Sequence, residues 1–287
     1  MKIALLSDIH GNLRALETVL AHIERWKPEH VIVAGDVVNR GPCSRACLQL
    51  VLERVQHHGW QFLRGNHEDY LLHAASPEFP THPPASEYLR LPSWSCHQDV
   101  RELVHTLADL PYQTSLTAPN GGLLTVVHGS MQGTRIGVYP ETDNEKLTPL
   151  VAKGVQVFAC AHTHRAFQRF FLQDKQSTLI VNIGSVGLPF DGDTRAGYAQ
   201  LTWQAGRWSA RLIRLEYDMA QAERDFATTG YLVGGGALAQ VVLRELQLAV
   251  PMLSSFDSRF SKAILSSEIS VEQAVKIWLA QYPDSFS

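Results

Sequence analysis

The length of the chain, 287 residues, corresponds to one large domain or two smaller ones. Hydrophobic residues make up 45% and charged residues 18% of it, which is enough apolar material for a sizeable core. The formal net charge of -3 gives no basic field that would hold a nucleic-acid polymer. No apolar run approaches the ~20 residues of a membrane span, and the N-terminal run is too short for a signal peptide. We therefore expect a cytoplasmic protein without a membrane-bound segment. Whether it forms a homo-oligomer is left open by the sequence.

The first third of the chain alternates short apolar runs with helical periodicity. Asn12 is predicted to cap the first helix, Pro28 closes it, and a second helix is predicted from Ser44 to Val55. The buried strands are predicted at Ile3–Ser7, Val31–Ala34 and Gln61–Leu63. This β-α-β-α-β order is typical of an α/β sheet with parallel strands.

Residues 68–110 break this pattern. Five prolines lie between Ser76 and Trp94, so regular helix is excluded there, and a helix is predicted from about His97 to Leu107. We interpret 68–110 as an insertion that covers the crevice where the functional residues are expected; the alternative is a surface loop that packs on its own domain away from that crevice. Its exposed apolar and aromatic residues are candidates to contact a substrate, including a nucleobase that would stack on a ring: Tyr88, Leu89, Leu91 and Trp94.

The rest of the chain is predicted to form strands first and helices after them. Seven further runs are predicted as strands: 112–116, 123–127, 155–160, 166–172, 178–183, 197–203 and 208–215. After Tyr217 the pattern is helical, with breaks at Gly234-Gly235-Gly236 and at Pro251. We expect a main domain over 1–217 and a helical C-terminal extension over 218–287. The extension is a cap, a dimerisation element or a partner surface, and the sequence does not choose among these.

Metal-ligand residue types follow five of the apolar runs. They are Asp8 and His10, then Asp36, then Asn66 and His67, then His128, and finally His162 and His164. In an open α/β sheet the carboxyl ends of the strands face one crevice, so these side chains are expected to meet there. Oxygen and imidazole donors without thiolate suit Mn, Fe, Zn or Ni.

The number of donors indicates two ions. A catalytic ion commonly takes three or four protein ligands, whereas seven oxygen and nitrogen donors converge here if His67 is left outside. A shared bridging carboxylate would divide them between two sites. Taken singly, each motif has a simpler interpretation, such as a turn, a helix cap or an exposed strand end. Their recurrence at successive strand ends favours the metal site. The four cysteines, Cys43, Cys47, Cys96 and Cys160, lack zinc-finger spacing and are predicted to be reduced thiols.

Five segments of the sequence resemble the calcineurin-like metallophosphoesterase superfamily: "DIHGN" at Asp8, "GDVVNRG" at Gly35, "GNHED" at Gly65, "HGS" at His128 and "AHTH" at Ala161. The resemblance covers roughly residues 1–215 and is closest to small bacterial phosphodiesterase-type members. It implies a four-layer α/β/β/α sandwich of two mixed sheets, to which the helical extension would be added. It implies that the domain over 1–217 is a metallophosphoesterase domain with a two-metal centre between the sheets, for which manganese is one candidate metal.

The resemblance also implies residue roles. Asp8, His10, Asp36 and His164 would hold one metal, and Asp36, Asn66, His128 and His162 the other. His67 would stand just outside as an acid or phosphate contact, and Arg40 would grip phosphate. The chain departs from its phosphatase relatives at Asn39, where they carry an aspartate that pairs with the histidine. An amide cannot support a charged His67 as a carboxylate would, unless Glu68 or Asp69 takes over.

The expected function is hydrolysis of phosphate esters by metal-activated water, with phosphodiesters or small nucleotides as substrates. Two enzymatic alternatives are a serine/threonine protein phosphatase and a dinucleoside polyphosphate hydrolase. A third alternative is a regulatory or interaction protein that keeps the metals as a structural staple.

Overall fold

The computed structural model describes residues 1–173 and 175–282. The strands in these residues are β1 (Lys2–Leu6), β2 (His30–Val33), β3 (Gln61–Phe62), β4 (Gln113–Thr117), β5 (Leu123–Val127), β6 (Val157–Cys160), β7 (Phe167–Gln173), β8 (Gln176–Asn182), β9 (Ala196–Gln204) and β10 (Arg207–Leu215). The helices are α1 (Leu13–Trp26), α2 (Ser44–His58), α3 (Asn66–Ala74), α4 (Ala85–Tyr88), α5 (Arg90–Trp94), α6 (Asn144–Leu147), α7 (Met219–Thr228), α8 (Tyr231–Gly234), α9 (Leu238–Leu248), α10 (Leu253–Leu265) and α11 (Val271–Leu279).

The strands form two mixed five-stranded sheets that pack face to face. Their orders are β10-β9-β1-β2-β3 and β4-β5-β6-β8-β7. The predicted β-α-β-α-β unit is present, since β1 pairs with β2 and β2 with β3 in parallel. In the second sheet, β5, β6 and β8 are parallel neighbours. The parallel strands of both sheets therefore end at loops beside the inter-sheet core, where the ligand-type residues stand.

Successive side chains of each strand point to opposite faces of the sheet, and this divides the hydrophobic core into layers. Ile3 and Leu5 of β1 point between the sheets, where they meet Val157 and Ala159 of β6. Ala4 and Leu6 point the other way, onto α1 and α2. A thinner layer, built from α6 and the loops around it, covers the outer face of the second sheet. The α/β/β/α sandwich expected from the sequence is confirmed.

Three local predictions can be compared with the structure directly. The exclusion of regular helix from residues 76–94 is wrong, because the short helices α4 and α5 lie there, with Pro84 just before α4 and Pro92 in the first turn of α5, where proline is tolerated. Asn12 does cap α1, because its side chain accepts a hydrogen bond from Ala15 N at 3.1 Å. The helix predicted over 97–107 is wrong: a π-helical turn at Ser95–Asp99 and a 3-10 turn at Val104–Leu107 stand there instead. Tertiary contacts override the helical periodicity because Asp99 turns away to accept the Arg45 N–H at 3.0 Å. It thereby caps α2, whose own preceding residue, Cys43, makes no side-chain cap.

The C-terminal helices α7 to α11 surround a hydrophobic cluster of their own. The insertion takes part in it, because Leu91 is buried among these helices and Trp94 packs edge-on against Tyr231 at 4.9 Å between ring centroids. The extension is thus joined to residues 85–94 by apolar packing. Within residues 1–173 and 175–282, no helix has the length and apolar character to cross a bilayer. All four cysteines are free thiols, as predicted.

Candidate metal centre

Every ligand-type residue singled out in the sequence stands at or just after the end of a strand, around one buried crevice. Asp8 and His10 follow β1, Asp36 follows β2, Asn66 and His67 open α3, His128 follows β5, and His162 and His164 follow β6. His162 is half-buried and the others are buried. The chain enters the crevice in left-handed backbone conformations, with φ of 52° at Asp8, 55° at Asp36 and 56° at His164. Such values are uncommon for residues other than glycine, and local strain of this kind concentrates at functional sites.

Asp8, His10 and His164 form one cluster. The ligand atoms of these three residues all lie within 4.8 Å of one another. His164 Nε2 lies 3.2 Å from Asp8 Oδ1 and 3.2 Å from His10 Nε2. Donor atoms bound about 2.1 Å from one ion lie roughly 3–3.5 Å apart, so the spacing fits a common cation.

Asp36, His128 and His162 form a second cluster of the same size. His128 Nε2 lies 3.2 Å from Asp36 Oδ2 and 3.0 Å from the side-chain oxygen of Asn66. Asn66 therefore adds an amide oxygen beside the two imidazoles and the carboxylate. The rings of His128 and His162 meet edge-on at 5.3 Å between centroids.

Asp36 connects the two clusters through one atom. Its Oδ1 accepts the backbone N–H of His67 at 2.8 Å. Its Oδ2 lies 3.2 Å from His128 Nε2 in the second cluster and 3.8 Å from His10 Nε2 in the first. One oxygen of Asp36 is thus fixed by the backbone, and the other lies between the clusters. Gly65 makes this approach possible, because a Cβ at Gly65 would collide with Asp36 Oδ1.

The donor atoms of the crevice are oriented for a cation. Asp8 Oδ1 and Asp36 Oδ2 are buried and have no hydrogen-bond partner, although an unsatisfied buried charge is costly. His128 Nδ1 is 2.8 Å from the carbonyl of Ala34, and His164 Nδ1 contacts the carbonyl of Leu188. Donation of both Nδ1–H groups to the backbone leaves the Nε2 lone pairs facing the crevice, which is the usual outer-sphere support of metal-binding histidines. These residues fit divalent cations.

The electrostatics of the crevice agree with that chemistry. Burial disfavours the charged form of Asp36, yet the neighbouring His128 and His67 hold the pKa of Asp36 below its usual range. Burial also acts against a charged His128, but the Asp36 carboxylate outweighs it and raises the pKa of His128 to about 10, so a metal ion bound at Nε2 would take the place of a proton there. Burial lowers the pKa of His162 to about 4, so His162 is neutral and able to coordinate. The buried carboxylates thus draw positive charge into the crevice.

Glu68 is a supporting residue whose role the sequence reasoning missed. Its side chain is fully buried and accepts three backbone N–H groups at 2.8 Å each: Val37 on Oε1, and Asp36 and Gly65 on Oε2. It thereby ties the loop after β2 to the start of α3. Burial and the nearby Asp36 raise the pKa of Glu68 to about 7, against the three N–H donors that favour its charged form. A glutamate three residues after the Gly65 that precedes a helix is a capping signal, and it could have identified this role.

The partner of His67 is Asn39, at 2.9 Å between Asn39 Nδ2 and His67 Nδ1. The amide cannot turn over, because Asn39 Oδ1 accepts the backbone N–H of Arg40 at 2.8 Å. Asn39 therefore donates to Nδ1, and the proton of a neutral His67 lies on Nε2. Burial lowers the pKa of His67 well below its usual value.

Neither of the acids considered as substitutes for the missing aspartate reaches His67. Glu68 is used by the three backbone donors, and Asp69 pairs with Arg64 at 2.6 Å. The side chain at Asn39 therefore decides which nitrogen of His67 carries a proton. Of the alternatives that the sequence left open, this geometry favours a His67 without a carboxylate partner over one supported by Glu68 or Asp69.

Arg40 lies at the edge of the crevice and is held by the C-terminal extension. Its guanidinium is 5.9 Å above the ring of Phe190, which stacks on His164 at 4.3 Å between centroids. Its Nη1 is 3.6 Å from Oε2 of Glu245, a fully buried residue of α9. The other oxygen of Glu245 accepts the N–H groups of Met252 and Leu253 at 2.8 Å each. No local sequence signal marked Glu245, because a glutamate in an amphipathic helix usually faces solvent.

Comparison with known proteins places the chain in a family. Residues 1–206 match the calcineurin-like phosphoesterase superfamily domain. A metallophosphoesterase from Sphaerobacter thermophilus has a similar structure, with a TM-score of 0.66 and 26% identity over 87% of this chain and all of that one. A hypothetical protein from Pyrococcus horikoshii OT3 shares the fold, with a TM-score of 0.71 and 18% identity over 86% of this chain and 98% of that one. An uncharacterised protein from Methanocaldococcus jannaschii is 25% identical over 77% of this chain and 89% of its own length.

Fold and crevice together define a hydrolase of the metal-dependent phosphoesterase class. The chain belongs to the calcineurin-like phosphoesterase superfamily. Its buried aspartate and histidine clusters are candidate sites for divalent metal ions.

Proposed function

We propose that this protein is a dinuclear metal-dependent phosphoesterase that hydrolyses phosphodiesters, including small nucleotide esters. One ion would be held by Asp8, His10, Asp36 and His164, and the other by Asp36, Asn66, His128 and His162. The observation that carries the proposal is the position of Asp36 Oδ2, a buried oxygen without a hydrogen-bond partner that lies between two clusters of imidazoles.

Two bound divalent ions would supply a water that ionises near neutral pH and a Lewis-acidic hold on the phosphoryl oxygens. The chain's own residues provide the rest. Burial keeps His67 neutral and Asn39 directs its proton to Nε2, so this N–H can stabilise negative charge that develops on the phosphoryl oxygens. Arg40 offers a planar, permanently charged donor at the crevice edge, and Glu245 limits where its side chain can move.

Two features favour diesters over alkyl monoesters. A His67 that receives a hydrogen bond at Nδ1 is poorly suited to protonate a poor alkoxide leaving group, whereas an activated diester does not need that proton. Two separate recesses also open beside the centre. One, of about 270 Å³, includes His67 and Arg40, and the other, of about 360 Å³, includes His128 and Thr134. A diester has one group for each recess, whereas a monoester would leave one of them unused.

The experiment is an assay of paired aryl substrates with the protein loaded with Mn, Ni, Fe or Zn. Bis(p-nitrophenyl) phosphate and p-nitrophenyl phosphate share a leaving group, and an alkyl monoester tests acid assistance. We expect activity only with added metal and a higher kcat/KM for the diester. His128→Asn should remove activity, while the exposed control His97→Asn should keep it. A clear preference for monoesters, or full activity in metal-stripped protein, would contradict the proposal.

The four free thiols and the lack of any disulfide among them are compatible with the cytoplasmic location that we propose.

A further inference from the structure

The recess of about 270 Å³ is built by three separate parts of the chain. Asn39, Arg40 and His67 of the main domain lie at the metal centre. The insertion adds Tyr70, Tyr88, Leu89, Leu91 and Pro92, and the extension adds Leu238, Leu253 and Asp257. The matched family domain ends at residue 206, so the third wall lies outside it. We call this space the three-walled recess.

The walls of the three-walled recess are joined at Asp257. The Tyr88 hydroxyl of the insertion donates to Asp257 Oδ1 of the extension at 2.6 Å. Leu91 is buried against the same helices, which fixes this part of the insertion in place. The recess is therefore a preformed site, as binding sites for small molecules usually are.

Its lining selects a particular kind of chemical group. Leucines and a proline supply most of the wall, and two tyrosines supply flat aromatic surface. The Arg40 guanidinium and the neutral His67 ring lie beside the phosphate position as hydrogen-bond donors, whereas Asp257 is the acidic side chain of this lining. With Oδ1 taken by Tyr88, the second oxygen of Asp257 can accept a hydrogen bond from a ligand. A second anionic group would be repelled there.

The size of the three-walled recess further limits which ligands it can bind. Sites for drug-sized ligands measure roughly 300–1,000 Å³, so about 270 Å³ accommodates one ring system with its substituents. It does not accommodate a peptide or a whole dinucleotide. Stacking of a base on an aromatic ring tolerates any base, and an acidic side chain accepts from base N–H or ribose hydroxyl groups.

We propose that the three-walled recess binds the nucleoside of a nucleoside phosphodiester, with the base against the apolar wall and a hydrogen bond to Asp257. The proposal rests on the proposed phosphodiesterase function and adds its substrate class. It also gives the C-terminal extension a role, which is to complete the specificity site. The leaving group would then occupy the recess beside His128.

The test compares two substrates that release the same p-nitrophenolate: methyl p-nitrophenyl phosphate and the p-nitrophenyl ester of a nucleoside 5′-monophosphate. We expect the wild-type kcat/KM to be at least about a hundredfold higher for the nucleoside ester. Leu89→Trp, which fills the recess from a half-buried position, should remove most of that preference, chiefly by lowering kcat/KM for the nucleoside ester rather than for the methyl ester. The exposed control Leu172→Trp should change neither.

A matched pair of variants separates ligand contact from closure of the wall. Asp257→Asn presents an amide N–H where the ligand needs an acceptor, so kcat/KM for the nucleoside ester should fall about tenfold, as for one hydrogen bond to a charged group. Tyr88→Phe removes the hydroxyl that occupies Oδ1 but keeps the aromatic ring and both Asp257 oxygens, so it should lower the preference less than Asp257→Asn does. An equal loss in both variants would mean that Asp257 acts only by closing the wall, which would overturn its assigned contact.

A binding measurement makes the test independent of catalysis. Adenosine, guanosine, cytidine and uridine are titrated calorimetrically into metal-free wild-type protein and into Leu89→Trp. Binding of at least one nucleoside by the wild type, weakened tenfold or more by Leu89→Trp, would support the proposal. Equal turnover of both esters together with no nucleoside binding would overturn it and leave the phosphodiesterase function standing. Turnover of neither ester, despite nucleoside binding, would contradict the proposed function instead.

Discussion

Glu68→Gln should be far more disruptive than a change of one atom suggests. Three backbone N–H groups point at the two oxygens of Glu68 at 2.8 Å each, whereas glutamine has one oxygen and one NH₂ group. If the glutamine oxygen accepts the N–H groups of Asp36 and Gly65, the N–H of Val37 faces the glutamine NH₂ group, which is itself a donor. One charge-assisted bond is lost at about 1.5–3 kcal/mol, two others fall to roughly half strength, and the unfolding free energy should drop by roughly 3–5 kcal/mol.

The assay is thermal unfolding together with equilibrium metal binding, at a pH above 7 at which the Glu68 carboxyl is charged. We expect the Tm to fall by about 10 °C. The affinity for divalent metal should fall about 10–100-fold, because the loop that carries Asp36 loses its anchor. The matched control is Glu102→Gln, whose exposed side chain pairs with Arg45. A Glu68→Gln protein with Tm within 1 °C of wild type, and metal affinity within about threefold, would refute the reasoning.

Two further changes test separate parts of the account. Asn39→Asp would give Nδ1 of His67 a carboxylate partner, so kcat/KM for alkyl phosphomonoesters should rise relative to that for aryl diesters. If the ratio of these two kcat/KM values is unchanged in paired assays, the role given to Asn39 is contradicted. Asp99 caps α2 at Arg45, and burial raises the pKa of Asp99 to about 6 from 3.8. The folded state holds this proton more tightly, so the stability it contributes is fully present below pH 3.8 and is lost as pH rises through about 6. Chemical denaturation of Asp99→Asn should therefore show an advantage over wild type that grows between pH 4 and pH 7, and a constant difference would contradict this.

Much of the site could be predicted because its residues lie in short motifs at strand ends. Continuous apolar runs identified the buried strands, and the parallel order of β1 and β2 then required Asp8 and Asp36 to meet at one edge. His128 follows β5 of the second sheet, so it joins them only because the two sheets pack face to face. The crossover geometry of α/β sheets is restricted enough that the order of elements determines which ends of the strands face the crevice.

The rest could not be predicted, because it depends on contacts between distant parts of the chain. The π-helical turn at 95–99 follows from Asp99 reaching the start of α2, and no local periodicity records that. Trp94 was expected to face a substrate, but it packs against Tyr231 of the extension. Glu245 approaches Arg40 only because α9 lies against the main domain.

The central claim is that Asp36 is shared by two metal ions. The most direct test is elemental analysis of wild type and Asp36→Asn after equilibrium dialysis against Mn or Zn, together with the diesterase assay. We predict two ions per wild-type chain, and metal lost from both sites of Asp36→Asn with activity abolished, because the oxygen between the clusters is gone. The exposed control Asp109→Asn should bind as wild type does. Two ions still bound to Asp36→Asn, with activity within tenfold of wild type, would contradict the account.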